Sequence, residues 1–393
     1  MPLVTKTFSE IITFTRASSG TYFDATGTLQ TATTDAARFD YDPSTLAARG
    51  FLVEEQRTNL ILQSEDITTT WTNSNSTDAA NTATAPSGAL TADTLIPNNA
   101  ATDGLIRQDL SSLADSTTYT FSVFLKTAGL TSIGIQFYNK ANTFHGSKIL
   151  DTSTGTLSGS DTVGVSSVVT CSNGWYRLIF TGLGSATGAT TPNVRIVCTS
   201  TGNGTSGVYI WGAQLEAGAF PTSYIATTTA SATRSADVAS VNTLSPWYNA
   251  SEGTIYAEAV RSNIPVSSNS NLVDINDGTT NNKLRLWIWS GSASSPRFTV
   301  VVSGGATADL SPGSASANTI FKIAGTYKAN DFSATINGGS VVTDTSGAVP
   351  AGQTTMNIGA LSGGGLEFWN GHLRRITYYP RKLSNSEIQG ITT

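Results

Sequence analysis

In Tyr119-Thr-Phe-Ser-Val-Phe-Leu-Lys126, residues Tyr119, Phe121, Val123 and Leu125 fall on one face of an extended chain, while Thr120, Ser122 and Lys126 fall on the other. A period of two is the signature of a half-buried strand, because successive side chains of an extended backbone point to opposite sides. Similar runs recur at residues 133–138, 175–180, 194–197 and 208–211, separated by turns rich in Gly, Ser, Thr and Asn. Many short strands at this spacing predict a β-sandwich, of jelly-roll type, over residues 61–228. Composition extends the inference to the whole chain. Charged residues make up 12% of it, about half the usual share. Helices carry long charged side chains on their wet face, whereas strands accept Thr and Ser there, so the expected class is all-β.

At 393 residues the chain exceeds one hydrophobic core. Beyond residue 250, strand-like runs at 254–260, 283–289, 298–302, 321–327, 332–336, 356–359 and 375–379 predict a second sandwich over residues 251–393. Only residues 384–389 read as helix, with Ser384 as N-cap and Glu387 three residues on. Residues 229–250 include a Thr/Ala/Ser stretch without hydrophobic period and read as a linker and entry segment. Residues 1–60 hold a hairpin whose turn centres on Ala25-Thr-Gly27, but little apolar content. That segment needs a neighbour, or another copy of itself, to bury its strands.

Several classes of function are disfavoured at this stage. The net charge of −5 and the lack of a basic tail argue against a protein that grips nucleic-acid phosphates. Residues 1–20 hold no apolar stretch long enough for a secretory signal or a membrane span, so the expectation is a protein that is cytosolic or leaves the cell by lysis or assembly. Cys171 and Cys198 both lie in strand-like runs and are either one cross-strand bridge or two buried thiols.

Three groups of motifs resemble tailed-bacteriophage head-spike and tail-fibre proteins. The first comprises Phe14-Thr-Arg-Ala-Ser-Ser-Gly-Thr-Tyr22, Arg38-Phe-Asp-Tyr-Asp-Pro43 and Gly50-Phe-Leu-Val-Glu-Glu-Gln-Arg-Thr-Asn-Leu60, and is similar to their N-terminal region. The second, Asn173-Gly-Trp-Tyr-Arg177 and residues 208–224, resembles their carbohydrate-binding-module-like jelly roll. The third is Lys328-Ala-Asn-Asp331, Ile336-Asn-Gly-Gly339, Thr343-Asp-Thr-Ser-Gly347 and the closing run of residues 373–387. It resembles a concanavalin A-like, laminin-G-type domain. The resemblance implies two tandem sandwiches behind a short β-rich attachment segment, on a virion-surface protein made in the host cytoplasm and released by lysis. It also implies a homotrimer that contacts other virion proteins through residues 1–60 and a host surface glycan through its sandwiches. Head or tail attachment stays open.

Sugar-binding surfaces present exposed aromatic faces to a pyranose ring and bond its hydroxyls with polar side chains. In residues 284–289, Leu284, Leu286 and Ile288 share one face, so Arg285, Trp287 and Trp289 share the other. If the aliphatic face is core, both indoles point outward as a glycan platform; otherwise they face the second sheet or a neighbouring subunit. Trp369, beside Gly363-Gly-Gly365, is a further candidate for ligand contact from an edge loop, or else anchors that loop. Trp175 and Trp211 are expected in the core, Trp71 and Trp247 at the domain entrances, and one of Tyr378 and Tyr379 in packing.

No cofactor motif is present. Asp274-Ile-Asn-Asp-Gly278 resembles the start of a calcium loop, but Arg285 stands where an EF-hand places its bidentate Glu, so a hairpin turn explains it better. A calcium ion at the rim of the laminin-G-type sandwich stays open. Catalysis is not expected. His145 and His372 fit no triad or zinc helix, His372 reading as support for a turn, and the adjacent pairs Glu54/Glu55 and Glu65/Asp66 would point apart on a strand.

Overall fold

The computed structural model describes residues 7–393 apart from positions 112, 183, 185, 186, 189, 262–268, 292–294 and 362–366. The chain is nearly all β, in two sandwiches, and the strands of its four large sheets pair antiparallel. The middle sandwich faces a sheet ordered Val165–Thr170, Tyr176–Thr181, Tyr119–Ala128, Gly207–Ala217, Leu90–Pro97, Ser76–Thr84 against one built around Ser132–Tyr138, Asn193–Cys198 and Leu105–Asp109. Tyr119, Phe121, Val123 and Leu125 lie in the core between them, as their period predicts. The opposite face of that strand is not wet. Thr120, Ser122 and Phe124 are equally buried, because residues 218–224 and the N-terminal hairpin cover them. Thr120 Oγ1 donates to the Gly218 carbonyl at 2.9 Å, and Phe124 packs with Trp211, Tyr224 and Leu29.

The C-terminal sandwich has two seven-stranded sheets. One runs Thr13–Thr15, Val238–Val241, Thr355–Ile358, Ser270–Asn276, Lys283–Trp289, Ser295–Val302, Gly305–Leu310. The other runs Val342–Asp344, Phe332–Ile336, Ile320–Lys328, Glu252–Arg261, Gly371–Tyr379, Ala48–Val53, Phe39–Tyr41. The helix Asn385–Thr392 is capped by Ser384 and Glu387 and docks through Ile388 beside Tyr256, Ala324 and Leu383.

These pairings revise the expected organisation. Residues 1–60 do not stand as a separate layer, because Thr13–Thr15 and the Phe39–Tyr41/Ala48–Val53 pair are edge strands of the C-terminal sandwich. Phe51 and Val53 enter its core. The neighbour that this segment needed is its own chain. The presumed linker is also structured: Ala232–Arg234 pairs with Arg57–Asn59, and Val238–Val241 sits between Thr13–Thr15 and Thr355–Ile358. The hairpin Gly20–Phe23/Leu29–Ala32, turned by Gly27 at φ +75°, lies on the middle sandwich, to which Asn59 also bonds through Ala213 and Leu215. Ser172 Oγ donates to the Gly27 carbonyl at 2.8 Å and Thr21 Oγ1 to that of Tyr224 at 2.6 Å.

A buried ion cluster joins these parts. Arg16 Nη1 reaches Asp237 Oδ1 at 3.1 Å, Arg38 pairs with both Asp237 and Glu54, and Arg234 lies 3.5 Å from Glu54. The Ser223 amide and hydroxyl donate to Glu54 at 2.8 and 2.7 Å. All five ionic side chains are at most 8% exposed. Burial alone would raise the Glu54 pKa, but Arg234, Arg38 and the Ser223 donors hold it well below the usual carboxylate range. Four residues of the N-terminal and jelly-roll motifs, Arg16, Arg38, Glu54 and Ser223, thus meet at one point.

Cys171 and Cys198 are both free and buried, and burial pushes each thiol up to about 12. Thiolate is the reactive form, so both should resist a thiol-reactive dye in the folded chain and label rapidly in denaturant. Fast labelling without denaturant would contradict this placement.

Candidate glycan-binding face

The strand Lys283–Trp289 is central in its sheet, between Ser270–Asn276 and Ser295–Val302. Its alternation sends Leu284, Leu286 and Ile288 into the core at 0–1% exposure. Arg285, Trp287 and Trp289 therefore share the opposite face. Burial falls along it: Arg285 is 6% exposed, Trp287 is half-buried and Trp289 is 37% exposed.

The two indoles do not form a bare platform. The Arg285 guanidinium carbon lies 4.0 Å from the centroid of the Trp287 ring, and that of Arg297 lies 4.4 Å from the Trp289 ring. Each arginine is oriented by a carboxylate, Arg285 by Glu367 and Arg297 by Asp309. Trp287 Nε1 donates to Thr299 Oγ1 at 2.7 Å, and Thr299 donates to Asp309 Oδ1 at 2.8 Å. Asn269 Nδ2 adds a 2.8 Å bond to Glu367 Oε1. Burial lowers the Arg285 pKa although Glu367 opposes it. The face thus presents, at its Trp289 end, an exposed indole with the Arg297 guanidinium, held by Asp309, over one side of the ring. Aromatic contact with C–H groups and paired donors and acceptors for hydroxyls are what a sugar ring engages.

Alternation located Trp287, Trp289 and Arg285 on one face but missed Arg297, Asp309 and Glu367. Arg297 stands directly across from Trp287 in the strand register, a neighbour that only pairing reveals.

Trp369 is not a surface residue. It is fully buried in the sandwich core, donates from Nε1 to the Val260 carbonyl at 3.1 Å and packs against Phe321 at 5.9 Å. Gly363-Gly-Gly365, which suggested an edge loop, lies outside the described residues. Trp175 and Trp211 are core residues at 1% and 2% exposure. Trp71 lies in the middle core and Trp247 packs on Tyr378 at 5.2 Å. Tyr378 and Tyr379 are both half-buried.

The remaining candidates have separate engagements. His372 lies within the strand Gly371–Tyr379, where Nε2 meets Asp40 Oδ2 at 2.7 Å, so it ties the N-terminal strands to the C-terminal ones rather than supporting a turn. His145 is buried beside Phe137 and Asn139. Glu54 belongs to the ion cluster, while Glu55 pairs with Arg57. Glu65 accepts from Tyr224, and Asp66 accepts from the Thr68 amide. Asp277 accepts from Thr279 and Asn282 within the turn joining Ser270–Asn276 to Lys283–Trp289. Among the described residues, no group of three or more His, Cys, Asp or Glu is placed to hold a metal ion.

Residues 222–389 match the Concanavalin A-like lectin/glucanases superfamily. This part of the chain is a concanavalin A-like domain, and the match takes in both strands of the presumed linker. Among solved structures, the chain is similar to the CBM40 of the Ruminococcus gnavus IT-sialidase, solved with alpha2,3 sialyllactose, at 17% identity and TM-score 0.31, over 37% of this chain and 84% of that one. It is also similar to mouse laminin alpha1 LG4-5 at 11% identity and TM-score 0.27, over 73% and 88%. Trypanosoma rangeli sialidase is similar at 12% identity and TM-score 0.31, over 74% and 60%. No curated protein matches the sequence.

Proposed function

We propose that this chain is a non-enzymatic surface protein of a tailed-bacteriophage virion, a head spike or tail fibre, that contributes to host attachment by binding glycan. The observation that carries the glycan reading is the exposed Trp289 indole, with the Asp309-bound Arg297 over one side of its ring, on the solvent side of a concanavalin A-like domain. The virion reading rests on the order of the sequence motifs from Phe14 to Glu387. The separate engagement of the histidines and of the adjacent carboxylates supports binding without catalysis. Contact with other virion proteins through residues 1–60 is supported by Ile11, Phe39 and Leu46, which stay 47%, 46% and 43% exposed. Assembly as a homotrimer would let weak single sites add up by avidity.

The test is a glycan array that includes host lipopolysaccharide and capsule, probed with the purified chain after light scattering has fixed its copy number. Trp289→Ala and Arg297→Ala should each weaken binding about tenfold, while stability stays within about 0.5 kcal/mol of the parent, as for most surface substitutions. Binding unaffected by both variants removes this face. Absence of any binding by the folded protein favours a purely architectural decoration or adaptor protein. Release of sugar ends from the glycan would instead mark a depolymerase.

A further inference from the structure

A second place for a ligand lies in the other sandwich, at the seam where the hairpin Gly20–Phe23/Leu29–Ala32 meets the middle domain. A cavity of about 140 Å³ opens there, lined by Thr21, Thr31, Glu65, Thr91, Trp211 and Tyr224 among others. An enclosed apolar cavity of about 150 Å³ holds one benzene ring, so this open cleft takes in one edge of a single substituted six-membered ring, the rest of which faces solvent. Its lining is not apolar. Glu65 Oε1 accepts from the Tyr224 hydroxyl at 3.1 Å, which is itself fixed by Ser64 Oγ at 2.7 Å. Trp211 Nε1 donates to Thr91 Oγ1 at 3.0 Å, so the Thr91 hydroxyl hydrogen remains to be donated. The Trp211 and Tyr224 rings pack with centroids 4.7 Å apart, which fixes the base of the cavity.

We propose that this cleft binds one terminal pyranose residue of an uncharged glycan, with Glu65 and Thr91 bonding ring hydroxyls over the Trp211–Tyr224 pair. A carboxylate has about four acceptor positions, more than the Tyr224 hydroxyl uses. Burial raises the pKa of Glu65, and a second carboxyl brought against it would disfavour ionisation of both, so an acidic sugar is the poorer ligand. The seam combines residues 21–31, 64–65, 87–91 and 211–226, so a site appears only when the hairpin is docked. It shares no residue with the Lys283–Trp289 face and does not depend on that face binding anything.

The test titrates the full chain calorimetrically with methyl glucopyranoside, methyl galactopyranoside, methyl mannopyranoside and, as the acidic counterpart, methyl glucuronide. At least one neutral glycoside should bind saturably, and the glucuronide at least about tenfold more weakly. Glu65→Gln, which keeps the shape but replaces one acceptor oxygen by a donor, should weaken binding about tenfold, the scale of one hydrogen bond. Ala89 lines the cavity from an exposed position, so Ala89→Trp should block the mouth without disturbing the core. Trp289→Ala should leave this binding unchanged. The proposal fails if no neutral glycoside binds, if the glucuronide binds as well, if Glu65→Gln or Ala89→Trp binds like the parent, or if Trp289→Ala abolishes the signal.

Discussion

Asp237→Ala is expected to destabilise the folded chain by about 3–5 kcal/mol, the scale for removing one partner of a buried ion pair. Asp237 faces both Arg16 and Arg38 and also accepts from the Glu54 amide at 2.8 Å. Removing it leaves three buried guanidinium groups, those of Arg16, Arg38 and Arg234, with one remaining carboxylate, Glu54. The midpoint of urea unfolding should fall with little change in slope; an unchanged midpoint would show that the cluster contributes nothing. The same cluster sets a direction for acid sensitivity. Glu54 is held below its ordinary value of 4.5, so the unfolded chain binds its proton first as pH falls. Its contribution is therefore complete above about pH 4.5 and is lost progressively below it. Glu54→Gln should flatten the fall in stability between neutral pH and pH 3 relative to the parent.

Trp369→Ala is expected to cost a similar amount, about 3–5 kcal/mol, because it opens a cavity in a packed core and strips the Val260 carbonyl of its indole donor. Thermal melting of this variant beside Trp289→Ala separates two tryptophans that composition alone would treat alike. A large drop for Trp369→Ala and almost none for Trp289→Ala is the expected pair of results. A stable Trp369→Ala protein with altered glycan binding would return Trp369 to the surface and undo the assignment.

Much of the fold was legible because long strands carry enough residues to show a period. Residues 119–126 and 284–289 displayed their inward faces directly, and the second of these also displayed Trp287 and Trp289. Strands of three or four residues carry no such signal. Thr13–Thr15 and Val238–Val241 acquire meaning only from partners far away in the chain. The candidate face was legible to the same degree, since alternation places a side chain on a face but does not say what lies across from it. Arg297 over Trp289 arises from register, and Glu367 on Arg285 from the return of a distant segment. Trp369 misled because it stands next to glycines, whereas its surroundings are set by Val260 and Phe321, both distant in sequence.

The middle sandwich interrupts the C-terminal one: residues 13–53 begin a domain that resumes near residue 232 and closes with Gly371–Tyr379. During synthesis the middle domain can finish, with the hairpin Gly20–Phe23/Leu29–Ala32 docked on it, as soon as its own strands have emerged, while Ala48–Val53 must wait for the last strand. His372 and Asp40 are 332 positions apart, so the pair Phe39–Tyr41/Ala48–Val53 joins its sheet only when translation is almost complete. A fragment starting at residue 229 would lack one edge strand of one sheet and two of the other, and an early stop codon would leave the beginning of the protein, not merely its end, without a partner.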